Sequence, residues 1–175
     1  GIDHNSDGVS VNDLNDIDGG ANSRQNFPVI TSATSSGGNS SITGTLNSTA
    51  SNYFRVEFFS SPTADSTTNG EGQTYLGFVN VATTSSGNAS FVMTLPAPVA
   101  VGAVVSATAT KTTSGYAAFT DTSEFAKNVT AALAPYSLRS TLALDSATGG
   151  TATTTRTGAG VTVAVVDSGM VLDGG

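Results

Sequence analysis

Ten aspartates occur in this 175-residue chain, and half of them fall within its first eighteen residues. Asp3-His4-Asn5-Ser6-Asp7-Gly8 reads D-x-N-x-D-G, and Asp13, Asn15, Asp16 and Asp18 follow before Gly19-Gly20. Oxygen donors at alternate positions, then a glycine that allows a sharp turn, are the ligand chemistry of a hard cation such as Ca²⁺. The expected ligands are Asp3, Asn5, Asp7, Asp13, Asp16 and Asp18. A complete EF-hand loop closes on a bidentate acid at its twelfth position, which here is Leu14, with Asp13 one residue early. The match therefore covers the first half of such a loop and implies weak, extracellular-range affinity. Two readings stand beside calcium: another cation, or a solvated turn in which Asn and Asp side chains bond their own backbone.

Other reactive groups are sparse. Glu57, Glu71 and Glu124 lie in separate segments, whereas glycoside hydrolysis needs two carboxyl groups facing each other across one bond. Glu71, within Asn69-Gly70-Glu71-Gly72, reads as a loop residue near a cation rather than a general acid. The single histidine, His4, sits inside the aspartate-rich segment. Without cysteine there is no disulfide or thiolate chemistry, and no glycine-rich loop carries a phosphate-binding lysine. Asn39, Asn47, Asn88 and Asn128 open N-x-S/T sequons at or near predicted turns, which makes them candidate glycosylation sites.

The elements that position these groups read as strands. Phe27–Thr34, Ser40–Leu46, Tyr53–Phe59, Thr74–Val81, Ala89–Leu95, Val104–Thr110 and Thr122–Val129 are strand-like runs separated by Gly, Asn, Ser and Pro clusters. In Tyr53–Phe59 the alternation puts Tyr53, Arg55, Glu57 and Phe59 on one face and Phe54, Val56 and Phe58 on the other. Seven short strands suffice for two packed antiparallel sheets. The expected fold is an all-β, Ig-like antiparallel β-sandwich with extended terminal arms. Its divisions are an Asp-rich arm or linker over 1–26, the sandwich over 27–130 and a C-terminal extension over 131–175.

Composition narrows the partners. Fifty residues are Ser or Thr, charged residues are 11%, and the net charge is −7 with six scattered Lys and Arg. Hydroxyls must then cover the surface, as in secreted β-proteins, and the hydroxyl density suits glycans. Binding nucleic acid through counterion release needs clustered cations, so that partner class is excluded. No apolar run approaches membrane-spanning length, which argues against membrane insertion. The chain opens on Gly1 rather than Met, which predicts a processed or excised piece.

An ordered series of motifs resembles a module of large secreted bacterial surface proteins, often carried after a parallel β-helix. The series runs from Asp7-Gly8-Val9 and Gln25-Asn26-Phe27-Pro28-Val29 through Ile42-Thr43-Gly44-Thr45-Leu46 and Phe54-Arg55-Val56-Glu57-Phe58-Phe59. It continues with Gly70-Glu71-Gly72-Gln73-Thr74-Tyr75-Leu76-Gly77 and Thr122-Ser123-Glu124-Phe125, covering about residues 3–128. The resemblance implies an Ig-like sandwich with a structural or adhesive role, and it makes the aspartate-rich entry segment part of the module.

Beyond it, Ser137–Leu144 alternates like a strand, Asp145–Gly160 reads as a linker, and Val161-Thr162-Val163-Ala164-Val165-Val166 is an apolar β-former. An apolar strand on a long arm needs a cover. Val161, Val163, Val165 and Val166 are therefore candidates either for strand donation to a neighbouring copy or for completing their own sheet. Gly158 to Gly169 also resembles the aspartate motif of subtilisin-like proteases, with Asp167 at the triad position. That triad also needs a histidine and a serine in their own contexts, and no such motifs follow.

The resulting expectation is a non-enzymatic, secreted bacterial protein of the cell surface or exterior. It would be a surface or filament protomer that self-associates into a homopolymer by β-strand pairing, with calcium as its only cofactor. The alternatives are an adhesive, carbohydrate-binding module or a fragment preceding a protease domain. Carbohydrate binding would call for an exposed aromatic platform, and four Tyr with no Trp promise a poor one.

Overall fold

The computed structural model describes residues 2–134, which form nine strands and no α-helix. They are β1 (Val29–Ser36), β2 (Asn39–Asn47), β3 (Tyr53–Ser61), β4 (Thr74–Ala82), β5 (Asn88–Leu95), β6 (Val104–Thr112), β7 (Phe119–Thr122), β8 (Val129–Thr130) and β9 (Ala132–Leu133). One sheet has the order β5-β2-β1-β9 and the other β4-β3-β6-β7, with β8 also on β6. Every pair is antiparallel except β1 with β9. The fold is the expected all-β sandwich of two sheets. No helix among the described residues is long and apolar enough to cross a membrane.

Side-chain alternation explains the layers. On β3, Phe54, Val56 and Phe58 are buried between the sheets, while Tyr53, Arg55, Glu57 and Phe59 point to the outer face. Ile42 and Leu46 of β2, Phe91 of β5 and Val105, Ala107 and Ala109 of β6 complete the core. Phe58 and Phe91 meet edge to face at 5.4 Å between ring centroids. Gly44 is fixed by this packing, because a Cβ there would collide with the Val29 carbonyl and the Phe91 ring.

Six strands lie within two residues of their sequence-based ranges. The seventh differs: the run expected as one strand over Thr122–Val129 is broken into β7 and β8. Ser123 N donates to the Ala109 carbonyl at 2.9 Å. Its own Oγ accepts from Ala109 N, also at 2.9 Å, so the hydroxyl replaces a backbone ladder partner. The chain rejoins β6 where Ala126 N donates to Ala107 O. Freed from the ladder, Glu124 turns inward and is 2% exposed. Ala131 is buried and β9 pairs with β1, so the sheet continues past residue 130. The candidate strands Ser137–Leu144 and Val161–Val166, with Val161, Val163, Val165 and Val166, lie outside the described residues, as does Asp167.

Candidate metal centre

The aspartate-rich segment runs along one flank of the sandwich without entering either sheet, held by side-chain hydrogen bonds. Its anchors are amides. Asn12 and Phe27 exchange two bonds, with Asn12 Nδ2 donating to Phe27 O at 2.8 Å and Phe27 N donating to Asn12 Oδ1 at 2.9 Å. The buried Asn26 accepts from Asp13 N and donates to the carbonyls of Asp13 and Asn47. Asn15 N donates to Asn47 Oδ1 at 2.8 Å. Gly87 lets the β4–β5 connection close on this loop, since its φ is +77° and a Cβ would meet Asn15 Oδ1 and Ser48 O.

The six expected ligands divide into two groups. Asp13, Asp16 and Asp18 converge, each offering a carboxylate oxygen within 4.8 Å of the others. Left-handed backbone at Asn15 (φ 63°) and Asp16 (φ 58°) curls the loop, a conformation that Asn and Asp tolerate best after glycine. Asp13 Oδ2 accepts from Ile17 N and Asp18 N, while Asp13 Oδ1 is buried without a donor. Asp18 Oδ1 is likewise buried and unpartnered, and its Oδ2 lies 3.9 Å from the Arg24 guanidinium. Asp16 accepts from Asn26 N at 2.8 Å and Ser48 Oγ at 2.9 Å. Burial, reinforced by the nearby Asp13 and Asp18 charges, outweighs those two bonds and raises the Asp16 carboxyl above its usual range. A cation would relieve that repulsion and supply a partner for the two lone oxygens.

The donor set contains oxygen and neither sulfur nor imidazole, which fits a hard cation such as Ca²⁺ and is unsuited to zinc. Leu14 points outward, 73% exposed, with Val11 at 86% and Ile17 at 81%. The hydrophobic side chains of the loop thus face away from the sandwich while its carboxylates face one another.

Asp3, Asn5 and Asp7 are not part of that group. Asp3 caps its own turn, accepting from Asp7 N and Gly8 N at 3.2 Å. Desolvation acts to raise the Asp3 carboxyl, but the N–H groups of Gly8, Asp7, Ser6 and Asn5 together hold it below its usual value. Asn5, with its amide oxygen toward Arg24, accepts from Nη2 at 2.7 Å and Nε at 3.0 Å. The turn is tied down by Glu124, whose carboxylate accepts from His4 N at 2.9 Å, Ser10 N at 2.7 Å and Ser10 Oγ at 3.3 Å. His4 Nε2 donates to the Thr122 carbonyl at 2.8 Å.

The sequence spacing missed Glu124 as a structural acid, and it treated Glu71 and Glu124 as separate. Both line one cavity of about 200 Å³ together with Asp3, Asp65 and Phe125. Among the sequons, Asn39 is exposed at the start of β2. The Asn47 amide donates to Asn88 Oδ1, that of Asn88 donates to Ser86, and both amide atoms of Asn128 are buried. No family model matches the chain, and no curated protein matches its sequence.

Proposed function

We propose that this chain is a non-enzymatic, extracellular structural module, a bacterial surface or filament protomer whose copies join by β-strand pairing and whose entry loop is braced by calcium. The observation that carries the reading is the state of the sheet edges. Among the described residues β4 pairs only with β3 and β5 only with β2, so one side of each lacks a ladder. Neither strand contains Lys, Arg, Asp, Glu or Pro, which blunt the edges of many monomeric proteins; β4 carries a bulge at Leu76, whereas the β5 ladder is regular. Val92 stands 63% exposed on β5. An uncharged edge of eight or nine residues is a template for another strand, with backbone bonds giving affinity and alternate side chains giving register. Val161, Val163, Val165 and Val166 supply a sequence of matching character.

The acidic loop supports the calcium part, because three converging carboxylates with two unpartnered oxygens are stabilised by a hard cation. The non-enzymatic part is supported by the commitment of His4 Nε2 to a backbone carbonyl and of Glu124 to three protein donors. The test is negative-stain microscopy and light scattering on three proteins: the full chain, a chain lacking residues 158–175, and Val92→Lys. The full chain should assemble, the truncated chain should remain a folded monomer, and the edge charge should reduce assembly. Fibres from the truncated chain would remove strand donation from the proposal.

A further inference from the structure

The outer face of the β4-β3-β6-β7 sheet carries an unexpected collection of side chains. Seven of the twelve aromatic residues gather on it or at its rim: Tyr53, Phe59, Tyr75, Phe78, Tyr116, Phe119 and Phe125. Four of these seven are Phe, which the count of Tyr and Trp leaves out. Alternation along β3 placed only Tyr53 and Phe59 there, and the rest arrive because β4 and the broken last strand flank β3 and β6. Tyr75, Phe78 and Phe119 are each about half exposed.

Two opposite charges stand at the centre. Arg55 lies between two rings, its guanidinium carbon 4.1 Å from the Phe78 centroid and 4.4 Å from that of Phe119. Its Nε donates to Asn80 Oδ1 at 3.3 Å, and its terminal nitrogens have no partner among the described residues. Glu57, two residues along the same strand and face, forms no hydrogen bond or ion pair among those residues. Across the ladder they sit beside Thr108 and Thr110 of β6, both of which are buried. Arginine and aromatic side chains, with few other charges, are the composition of a protein interface core.

We infer that this face binds the same face of a second copy, about a two-fold axis passing between Arg55 and Glu57. A two-fold contact must be self-complementary: whatever residue i meets on the partner, the partner's residue i meets in return. An arginine and a glutamate two positions apart on one strand satisfy that condition. Each Arg55 faces the partner's Glu57, forming two equivalent charge-assisted pairs inside an aromatic rim. The clamp of Phe78 and Phe119 holds the guanidinium in place before binding, which lowers the ordering cost of forming the pair. The contact is separate from the strand edges and gives a protomer a second way to join its copies.

The experiment uses sedimentation velocity on the full chain carrying Val92→Lys, so that edge pairing does not mask a face-to-face contact. This protein should dimerise in a concentration-dependent and salt-sensitive way. Adding Arg55→Glu or Glu57→Arg places like charges across the axis, and each should weaken dimerisation by about 30-fold or more. An equimolar mixture of those two variants should restore it, because the paired acidic side chains of one variant then face the paired basic side chains of the other. Circular dichroism melts establish that both variants remain folded. A monomer at every concentration, including one retained by a polysaccharide matrix, would overturn the inference, as would variants that dimerise like their parent or a mixture that stays monomeric.

Discussion

The two halves of the aspartate-rich segment have nearly the same composition and opposite electrostatics. In the first half, Asp3 receives backbone N–H groups from its own turn and its carboxyl is held low. In the second, Asp13 and Asp18 each keep a buried oxygen without a donor, and burial pushes the Asp16 carboxyl up. In the first half the turn's own N–H groups meet Asp3 and Glu124 meets the N–H groups of His4 and Ser10, whereas the second is a set of like charges held together by the fold. The D-x-N-x-D-G spacing lies in the half whose leading carboxylate is met by backbone donors. What decides is where the donors go, and the donors here come from residues far away in sequence.

The largest effect that could break this comparison is calcium itself. Adding calcium at about 100 times its dissociation constant should stabilise by about 2.7 kcal/mol, and a chelator should reverse this. For a domain of this size that corresponds to a rise of about 10 °C in Tm. Asp13→Asn or Asp18→Asn should abolish most of the shift in a calorimetric scan. A chain whose Tm ignores both calcium and chelator would reduce the second half to a packed acidic turn.

Next in size is the anchor of the first half. Glu124→Ala leaves the half-buried His4 N and Ser10 N without their acceptor, at a cost of about 2 kcal/mol in urea denaturation. The calcium-dependent shift should persist, because Glu124 touches only the Asp3–Ser10 side. Loss of both stability and calcium response would mean that the halves act as one unit.

How far the sequence exposed all this varies with the physics involved. Six strands and the two faces of β3 were legible because alternation of apolar and polar residues is a local signal. The break of the last strand was not, since Ser123 replaces a ladder bond with its hydroxyl, and no propensity records that choice. Asp13, Asp16 and Asp18 were legible as ligand types, but their separation from Asp3, Asn5 and Asp7 depends on Asn26, Asn47 and Ser48. The pairing of Arg55 with Phe78 and Phe119 required the strand order, which is a non-local fact.

A smaller effect concerns acidity. Because the folded chain holds the Asp16 proton more tightly than the unfolded chain does, stability falls as pH rises from the usual value of 3.8 through the raised folded value. Asp3 and Asp65 act oppositely, since their lowered carboxyls contribute stability that is lost as pH falls below 3.8. Without calcium, Asp16→Asn should therefore melt a few degrees higher than wild type at neutral pH. That advantage should shrink as the pH falls through the raised folded value, where wild type takes up the proton itself. An advantage constant across pH would assign the effect to packing instead of charge.

The smallest expected change is Asp3→Asn. The single amide oxygen keeps one of the two N–H bonds of the turn and loses the other, but both are long and the side chain lies at the surface, so Tm should move less than in any variant above. Its value is as a discriminator, because Asp3 heads the D-x-N-x-D-G motif and a calcium loop read from spacing makes it a leading ligand. With the segment divided as the hydrogen bonds divide it, the calcium-induced shift in Asp3→Asn equals that of wild type while Asp13→Asn loses it. A reduced shift in Asp3→Asn would instead bring Asp3 and Asp13 to the same ion, and the two halves would have to close on each other when calcium binds.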